Sequence, residues 1–304
     1  MKKLLIIASL LLAQLPAVAQ VLVVQAVERV PVEAVSDLKV AAFSPDGDCL
    51  LLTTMGNKGL YRLNLADNAL LTVSEEDGAG YQPRITDDGS RIVFRLKHTD
   101  DRHLRLTQVN GYNVATGELE QLLAPTHELS AVALSGNTAV TVENGVTRRH
   151  ALRAGGSGND VAPVAFVKNR QLMLTVGGVT RAFSPCGTNE SYIWPSVSPD
   201  GQRVLFYVSG RGAYVCRTDG SELTELGQLR APQWYGNDVV VGMNDVDDGH
   251  EIVSSGIVAS TLTGQQQTLT TDSVIAIYPQ TAAGAGRIAF STPSGELYII
   301  TLDK

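Results

Sequence analysis

Short apolar runs alternate with polar turns along most of the chain. Six runs of five or six residues are rich in β-branched and aromatic side chains, at 49–53, 91–96, 171–176, 203–208, 238–242 and 287–291. Their length and composition predict strands that are at least half-buried. No amphipathic helical period of any length interrupts them. The pattern therefore predicts an all-β chain.

The turns before these runs share a recurring motif. Residues 43–47 (FSPDG), 85–89 (ITDDG) and 197–201 (VSPDG) show it most clearly, and a proline often lies six residues before the last turn position. Glycine and asparagine are favoured there because they tolerate a left-handed backbone. Aligning on this offset gives seven units, 32 to 48 residues apart, whose last turn residues are Gly47, Gly89, Asn137, Asn169, Gly201, Asp238 and Ala285.

A repeat of about 40 residues with up to four strands is typical of a β-propeller blade. We expect one propeller domain over residues 20–304, built of four-stranded blades. Seven blades are favoured, and six is the alternative if the two 32-residue units form one irregular blade. The last unit lacks an outer strand, and residues 27–34 can supply it, which closes the ring and removes open sheet edges.

The turn motif and the third strands that follow it, such as 60–65 (LYRLNL), resemble the TolB-type, WD-like β-propeller repeat. Two units match closely and one matches moderately. This resemblance implies the propeller fold and leaves function open, because propellers serve as receptors, enzymes and scaffolds. TolB itself carries a mixed α/β domain before a six-bladed propeller, whereas about 21 residues of the expected mature chain precede the first unit here.

The first 19 residues have the pattern of a signal peptide. Lys2 and Lys3 precede an apolar run from Leu4 to Leu12, and small residues end at Ala19, after which we expect cleavage. The protein is therefore expected in the periplasm or outside the cell, with no membrane insertion. The net charge of −7, about −9 after cleavage, argues against a nucleic-acid partner. We expect a monomer.

Aromatic and polar residues cluster where the chain enters three of the predicted inner strands. Their side chains could grip a peptide or stack on a sugar. The alternative is that the aromatic rings pack between blades as core. The candidate partner-binding residues are Tyr81, Gln82, Arg84, Trp194, Arg230, Gln233 and Trp234.

Two polar loops between second and third strands are candidate metal sites. Asp245, Asp247 and Glu251 offer carboxylates that could hold calcium, although the order differs from a calcium-binding loop. The other loop, 98–103 (HTDDRH), offers two histidines and two aspartates. Each loop has an ordinary alternative as a charged turn, in which case no cofactor is needed.

Signatures of catalysis are missing from the sequence. Residues 155–159 (GGSGN) fail the nucleophile-elbow pattern at its last position, and there is no zinc-binding His-Glu-x-x-His or phosphate loop. We expect a non-catalytic module that binds a protein or peptide partner in the cell envelope. The alternative is a propeller enzyme that acts on a glycan or lactone. Its metal ligands or its base would come from Asp245, Asp247, Glu251 or His98.

Overall fold

A computed structural model describes residues 20–32, 37–152 and 162–303 of the chain. Within these ranges the chain forms 26 strands and one short 3₁₀ helix, Ala283–Ala285. The strands assemble into seven separate antiparallel sheets. The prediction of seven blades is confirmed, because the two short units form two sheets rather than one. The expected signal peptide, 1–19, and the glycine-rich stretch at 155–158 lie outside the described residues.

Each sheet is one blade, and the blades are numbered along the chain after the first strand, β1 (Val24–Val30). Blade 1 contains β2 (Leu38–Phe43), β3 (Cys49–Thr54), β4 (Lys58–Asn64) and β5 (Leu70–Asp77). Blade 2 contains β6 (Arg84–Ile85), β7 (Arg91–Thr99), β8 (Arg105–Asn113) and β9 (Leu119–Thr126). Blade 3 contains β10 (Leu129–Ser135), β11 (Thr138–Glu143) and β12 (Val146–Ala151). Blade 4 contains β13 (Val164–Lys168), β14 (Gln171–Val176) and β15 (Val179–Ala182).

Blade 5 contains β16 (Tyr192–Val197), β17 (Arg203–Val208), β18 (Gly212–Arg217) and β19 (Thr224–Gly227). Blade 6 contains β20 (Arg230–Tyr235), β21 (Val239–Asp247), β22 (Ile252–Thr261) and β23 (Gln266–Thr268). Blade 7 contains β24 (Ile277–Ala282), β25 (Arg287–Ser291), β26 (Leu297–Leu302) and β1. Thus five blades have four strands, whereas the described residues of blades 3 and 4 provide three each.

The first strand of the chain completes the last blade, as predicted. β1 runs antiparallel to β26, with Val27 opposite Ile300 and Val30 opposite Leu297. Blade 7 also contacts blade 1 directly, because the backbone N–H of Val40 donates to Ser291 Oγ at 2.8 Å. The two ends of the propeller are therefore joined by strand pairing and by contacts between blades.

The apolar runs are buried because each blade packs against two neighbours. In β3, Leu50, Leu51 and Leu52 are all fully buried. Leu51 packs in a cluster shared with blade 2, whereas Leu50 and Leu52 pack in a cluster shared with blade 7. Successive strand residues point to opposite faces, so a nearly continuous apolar run fills two interfaces. A cluster of this kind lies between every pair of neighbouring blades.

The recurring turn is explained by a hydroxyl at its start. In three blades this side chain accepts a hydrogen bond from the backbone N–H of the strand that follows. The distances are 2.9 Å from Cys49 N to Ser44 Oγ, 3.1 Å from Arg91 N to Thr86 Oγ1 and 2.9 Å from Arg203 N to Ser198 Oγ. The closing glycines, Gly47, Gly89 and Gly201, are left-handed, with φ of 78°, 66° and 73°. The motif thus closes the hairpin between the first two strands of a blade.

The first strands of neighbouring blades contact one another at six of the seven junctions between blades. They are therefore the inner strands, and the loops that lead into them surround one end of the central channel. In the described ranges, helices long and apolar enough to cross a bilayer are absent.

Candidate functional site

A strained backbone conformation, here called a bulge, recurs where the chain enters four of the inner strands. The residue before a proline has a left-handed backbone in blades 2, 5, 6 and 7, at Gln82 (φ 49°), Trp194 (φ 50°), Ala231 (φ 46°) and Tyr278 (φ 53°). Strand pairing shifts at this point in blades 5, 6 and 7. A proline normally keeps the preceding residue extended, and a left-handed non-glycine residue costs about 1–2 kcal/mol. The recurring proline thus marks a local backbone distortion at the entrance to each of these four inner strands.

A cavity of about 280 Å³ opens beside two of these bulges. Its walls come from blades 2 and 5 and from the inner strands of blades 3 and 4 between them. Four of the seven predicted partner-binding residues line it together. These are Tyr81, Gln82, Arg84 and Trp194, joined by Arg95 and Tyr192.

Arg95 is the buried cation of this cavity. Its side chain is only 8% exposed, and its Nη1 donates hydrogen bonds to the backbone oxygens of Tyr81 at 3.1 Å and Gln82 at 3.2 Å. The guanidinium carbon lies 5.5 Å from the centre of the Tyr81 ring, within the range of a cation–π contact. Burial, and to a smaller extent the nearby charge of Arg84, lower the pKa of Arg95 to about 10.

Arg84 has a different environment, because its side chain reaches solvent within the cavity. Protein nevertheless surrounds that solvent, and this burial lowers the pKa of Arg84, with Tyr81 opposing the shift. Among the described residues, no carboxylate forms an ion pair with Arg84 or Arg95. The cavity is therefore a positive site in a protein whose net charge is −7.

Arg95 is unusual when the blades are compared. The inner strand after the bulge pairs Arg84 with Val93, Ser196 with Leu205, Gln233 with Val241 and Gln280 with Ala289. Two residues further along each second strand stand Arg95, Tyr207, Met243 and Ser291. Blade 2 thus has a cation where these other blades have neutral side chains. Sequence analysis did not single out Arg95, although its charge inside the apolar run 91–96 was a usable signal.

Tyr81 and Trp194 supply aromatic surface at the cavity. Tyr81 is 42% exposed, whereas Trp194 is half-buried and makes an edge-to-face contact with Tyr207, with ring centres 5.5 Å apart. Rings that are held in this way and still reach solvent can contact a ligand at a low entropic cost.

The three remaining predicted residues lie in β20 of blade 6, away from this cavity, whose described walls belong to blades 2 to 5. Trp234 is buried and packs between blades 5 and 6 against Leu205 and Val240. Its environment is the core packing that the sequence left open as the alternative. Gln233 pairs with Val241 in the sheet and is half-buried.

Arg230 has an acidic partner within its own blade. Its Nη1 lies 2.6 Å from Asp245 Oδ2, and the Asp245 side chain is fully buried while that of Arg230 is 43% exposed. The second carboxylate oxygen, Asp245 Oδ1, has no hydrogen-bond partner in the described structure. This ion pair links the inner strand of blade 6 to its second strand.

The proposed calcium ligands do not converge. Asp245 is engaged by Arg230, whereas Asp247 Oδ1 accepts the N–H of Gly249 at 2.6 Å on the exposed hairpin tip. Asp248 accepts the N–H of Glu251 at 2.9 Å. Such aspartate contacts with backbone two or three residues ahead are typical of turns. Across the described ranges, no three His, Cys, Asp or Glu side chains are grouped as a metal site.

The loop at 98–103 is also organised by turn contacts. Asp100 Oδ1 accepts hydrogen bonds from the N–H groups of Arg102 at 2.9 Å and Leu104 at 2.8 Å. These bonds hold the pKa of Asp100 below its usual value, and the bond from Leu104 has the largest effect. The second carboxylate oxygen lies 3.4 Å from His127 Nε2. This geometry fits the alternative interpretation of the loop as a charged turn.

No protein-family model matches the chain, and no curated protein matches it significantly. Solved structures do match it. A chain in the crystal structure of the mitotic checkpoint complex is 11% identical, with a TM-score of 0.63 and 99% of both chains covered. An oligogalacturonate lyase from Vibrio parahaemolyticus is 14% identical, with a TM-score of 0.51 over 91% of this chain and 94% of that one.

A putative TolB from Agrobacterium tumefaciens is 18% identical, with a TM-score of 0.50 over 88% of this chain and 90% of that one. At such identities these likenesses show the fold alone. The resemblance of the repeat to TolB-type propellers is confirmed at that level, since TolB-like propellers are among the structures that the chain matches.

Proposed function

We propose that the protein is an exported, non-catalytic β-propeller that binds a protein or peptide partner in the cell envelope and acts as a monomer. The observation that carries this proposal is the cavity between blades 2 and 5, which brings together Tyr81, Gln82, Arg84 and Trp194. Rigid sheets hold these groups at the channel end, and loops on such a scaffold are common binding sites. The signal-peptide pattern of 1–19 supports export to the periplasm or the medium.

The test is capture from envelope extract with the mature chain, 20–304, followed by reconstitution with the purified partner. The site variant is Tyr81→Ala/Trp194→Ala, which leaves the core residue Trp234 intact. The matched control is Leu119→Ala/Leu223→Ala, because both leucines are exposed on outer parts of the blades. We expect the site variant to weaken binding of the purified partner at least tenfold and the control to leave it unchanged. Equal binding by both variants would exclude this face.

The alternative function is an enzyme that acts on a glycan. The oligogalacturonate lyase that shares the fold motivates it, together with a cavity whose arginines and rings could bind an acidic sugar. Release of unsaturated products from polygalacturonate by the mature chain, abolished in Arg84→Gln, would support this alternative. Under the binding proposal we expect no turnover with or without added manganese or calcium.

A further inference from the structure

Two arginines that have no acidic partner within the described part of the chain meet at one cavity of an acidic protein. Arg84 reaches solvent inside the cavity, and Arg95, which also lines it, is held by the backbone oxygens of Tyr81 and Gln82. Building an unpaired charge into the protein interior costs free energy. The other compared blades avoid that cost with Tyr207, Met243 or Ser291 at the position of Arg95. The positive charge in blade 2 therefore requires an explanation beyond folding.

We infer that the cavity binds a single carboxylate of the partner, supplied by an acidic side chain or a chain terminus, between Arg84 and Arg95. This inference rests on the proposed binding function and specifies its chemistry. A carboxylate is planar and accepts two parallel hydrogen bonds from a guanidinium group. Its charge would also relieve the repulsion between the two arginines.

The arrangement of Arg95 supports a ligand site rather than an accidental charge. Its Nη1 donates to the carbonyl oxygens of Tyr81 and of Gln82, whose backbone is left-handed. These neutral acceptors orient the guanidinium group without cancelling its charge. The ring of Tyr81 packs on the same group. A cation fixed by neutral contacts is organised in advance to receive an anion.

The size of the cavity and the charge of the whole protein favour a peptide over a polyanion. A space of about 280 Å³ is at the lower end of ligand pockets, so it suits one side chain or chain end. A net charge of −7 repels a nucleic acid or a long polyuronate at a distance. A single carboxylate on a partner that is otherwise neutral or basic avoids that repulsion. Tyr81 and Trp194 can then contact the apolar parts of the same segment.

The first part of the test uses acetate as the smallest probe. The chain has two tryptophans, of which Trp194 lines the cavity and Trp234 is core, so fluorescence reports on the site. Acetate is titrated against chloride at constant ionic strength. We expect the fluorescence of the wild type to change saturably with acetate. In Arg84→Gln, we expect the affinity for acetate to be at least tenfold lower. Arg102→Gln is the matched control, because Arg102 is exposed on the loop at 98–103 and does not line the cavity, and we expect no change there.

The second part selects peptides from a random heptapeptide library with free carboxyl termini. We expect selected peptides to lose affinity at least tenfold when their carboxylate is replaced by an amide, and to lose this preference with Arg84→Gln. Arg84→Lys retains the charge and should keep part of the preference, while a shared melting temperature would confirm that the variants fold. Arg84 is suitable for this test because it reaches solvent.

The outcomes distinguish failure of the carboxylate site from failure of the proposed binding function. Peptides that bind equally as acids and amides would overturn the carboxylate site and leave the binding function standing. Failure to select any peptide, with acetate still bound through Arg84, would overturn the assignment to a peptide and count against the proposed function. No acetate binding and no acid preference would remove the anion site altogether.

Discussion

Blades 2 and 6 both bring arginine to the channel end of the propeller, but they treat the charge differently. In blade 6, Arg230 lies 2.6 Å from the buried carboxylate of Asp245. In blade 2, Arg84 and Arg95 have only neutral contacts within the described residues. The first charge is neutralised inside one sheet and serves the fold. The second pair remains open to the carboxylate that we propose as its ligand.

The comparison predicts that Arg230→Met destabilises the protein most. The substitution leaves the fully buried Asp245 carboxylate without a cation, and breaking a buried pair from one side costs about 3–5 kcal/mol. Since Arg230 is 43% exposed, solvent screens part of the interaction, and we expect a loss of about 2–3 kcal/mol in the free energy of unfolding. Urea unfolding measures it.

Two further variants sharpen this result. Arg230→Lys keeps the charge and should lose less, while Arg230→Met/Asp245→Leu removes both charges and should recover most of the loss. If the free energy of unfolding of Arg230→Met lies within about 0.5 kcal/mol of the wild-type value, the ion pair does not stabilise the fold and the contrast between the blades fails.

Arg95→Met is expected to change stability much less. The pKa of Arg95, about 10, lies below the ordinary value of the unfolded chain. The charge therefore costs stability at neutral pH, and this cost diminishes only as the pH rises above about 10. Converting the pKa shift into free energy, we expect removal of the charge to increase the free energy of unfolding by about 3 kcal/mol. The loss of two hydrogen bonds to carbonyl oxygens offsets most of this gain.

We therefore expect the free energy of unfolding of Arg95→Met to lie within about 1.5 kcal/mol of the wild-type value. The same substitution should abolish carboxylate binding. Met243 occupies the corresponding position of blade 6, so a methionine fits this part of the repeat. Urea unfolding and acetate titration of the same sample check both statements. A destabilisation as large as that of Arg230→Met would show that Arg95 is held for the fold.

The fold was predictable because its signals are local. The runs 49–53 and 203–208 predict strands by composition, and the turns at 43–47 and 197–201 predict hairpins through their closing glycines. Their spacing then indicates a ring. The choice of seven blades over six depended on two short units whose separate sheets only the structure resolves.

The site was predictable only in part because a bulge changes which way neighbouring residues point. Trp194 and Trp234 both lie within two residues of an inner-strand proline, yet Trp194 lines the cavity, whereas Trp234 is buried between blades 5 and 6. Side-chain direction alternates along a regular strand, and an inserted residue resets that alternation. Arg95 was missed for a related reason, since its acceptors are carbonyl oxygens that the bulge at Gln82 presents.

The smallest predicted effect concerns that bulge. Gln82 has φ 49° and an exposed side chain, so Gln82→Gly removes the left-handed strain of about 1–2 kcal/mol. The greater freedom of glycine in the unfolded chain offsets about 0.4–1 kcal/mol, and we expect a net gain of about 0.5 kcal/mol. Gln121→Gly is the matched control on the exposed outer strand β9, where φ is not positive, and should instead lose about 0.5–1 kcal/mol. Opposite signs in urea unfolding would establish that the bulge is strained; equal losses would mean that Gln82 is relaxed there and that blade 2 holds Arg95 at no backbone cost.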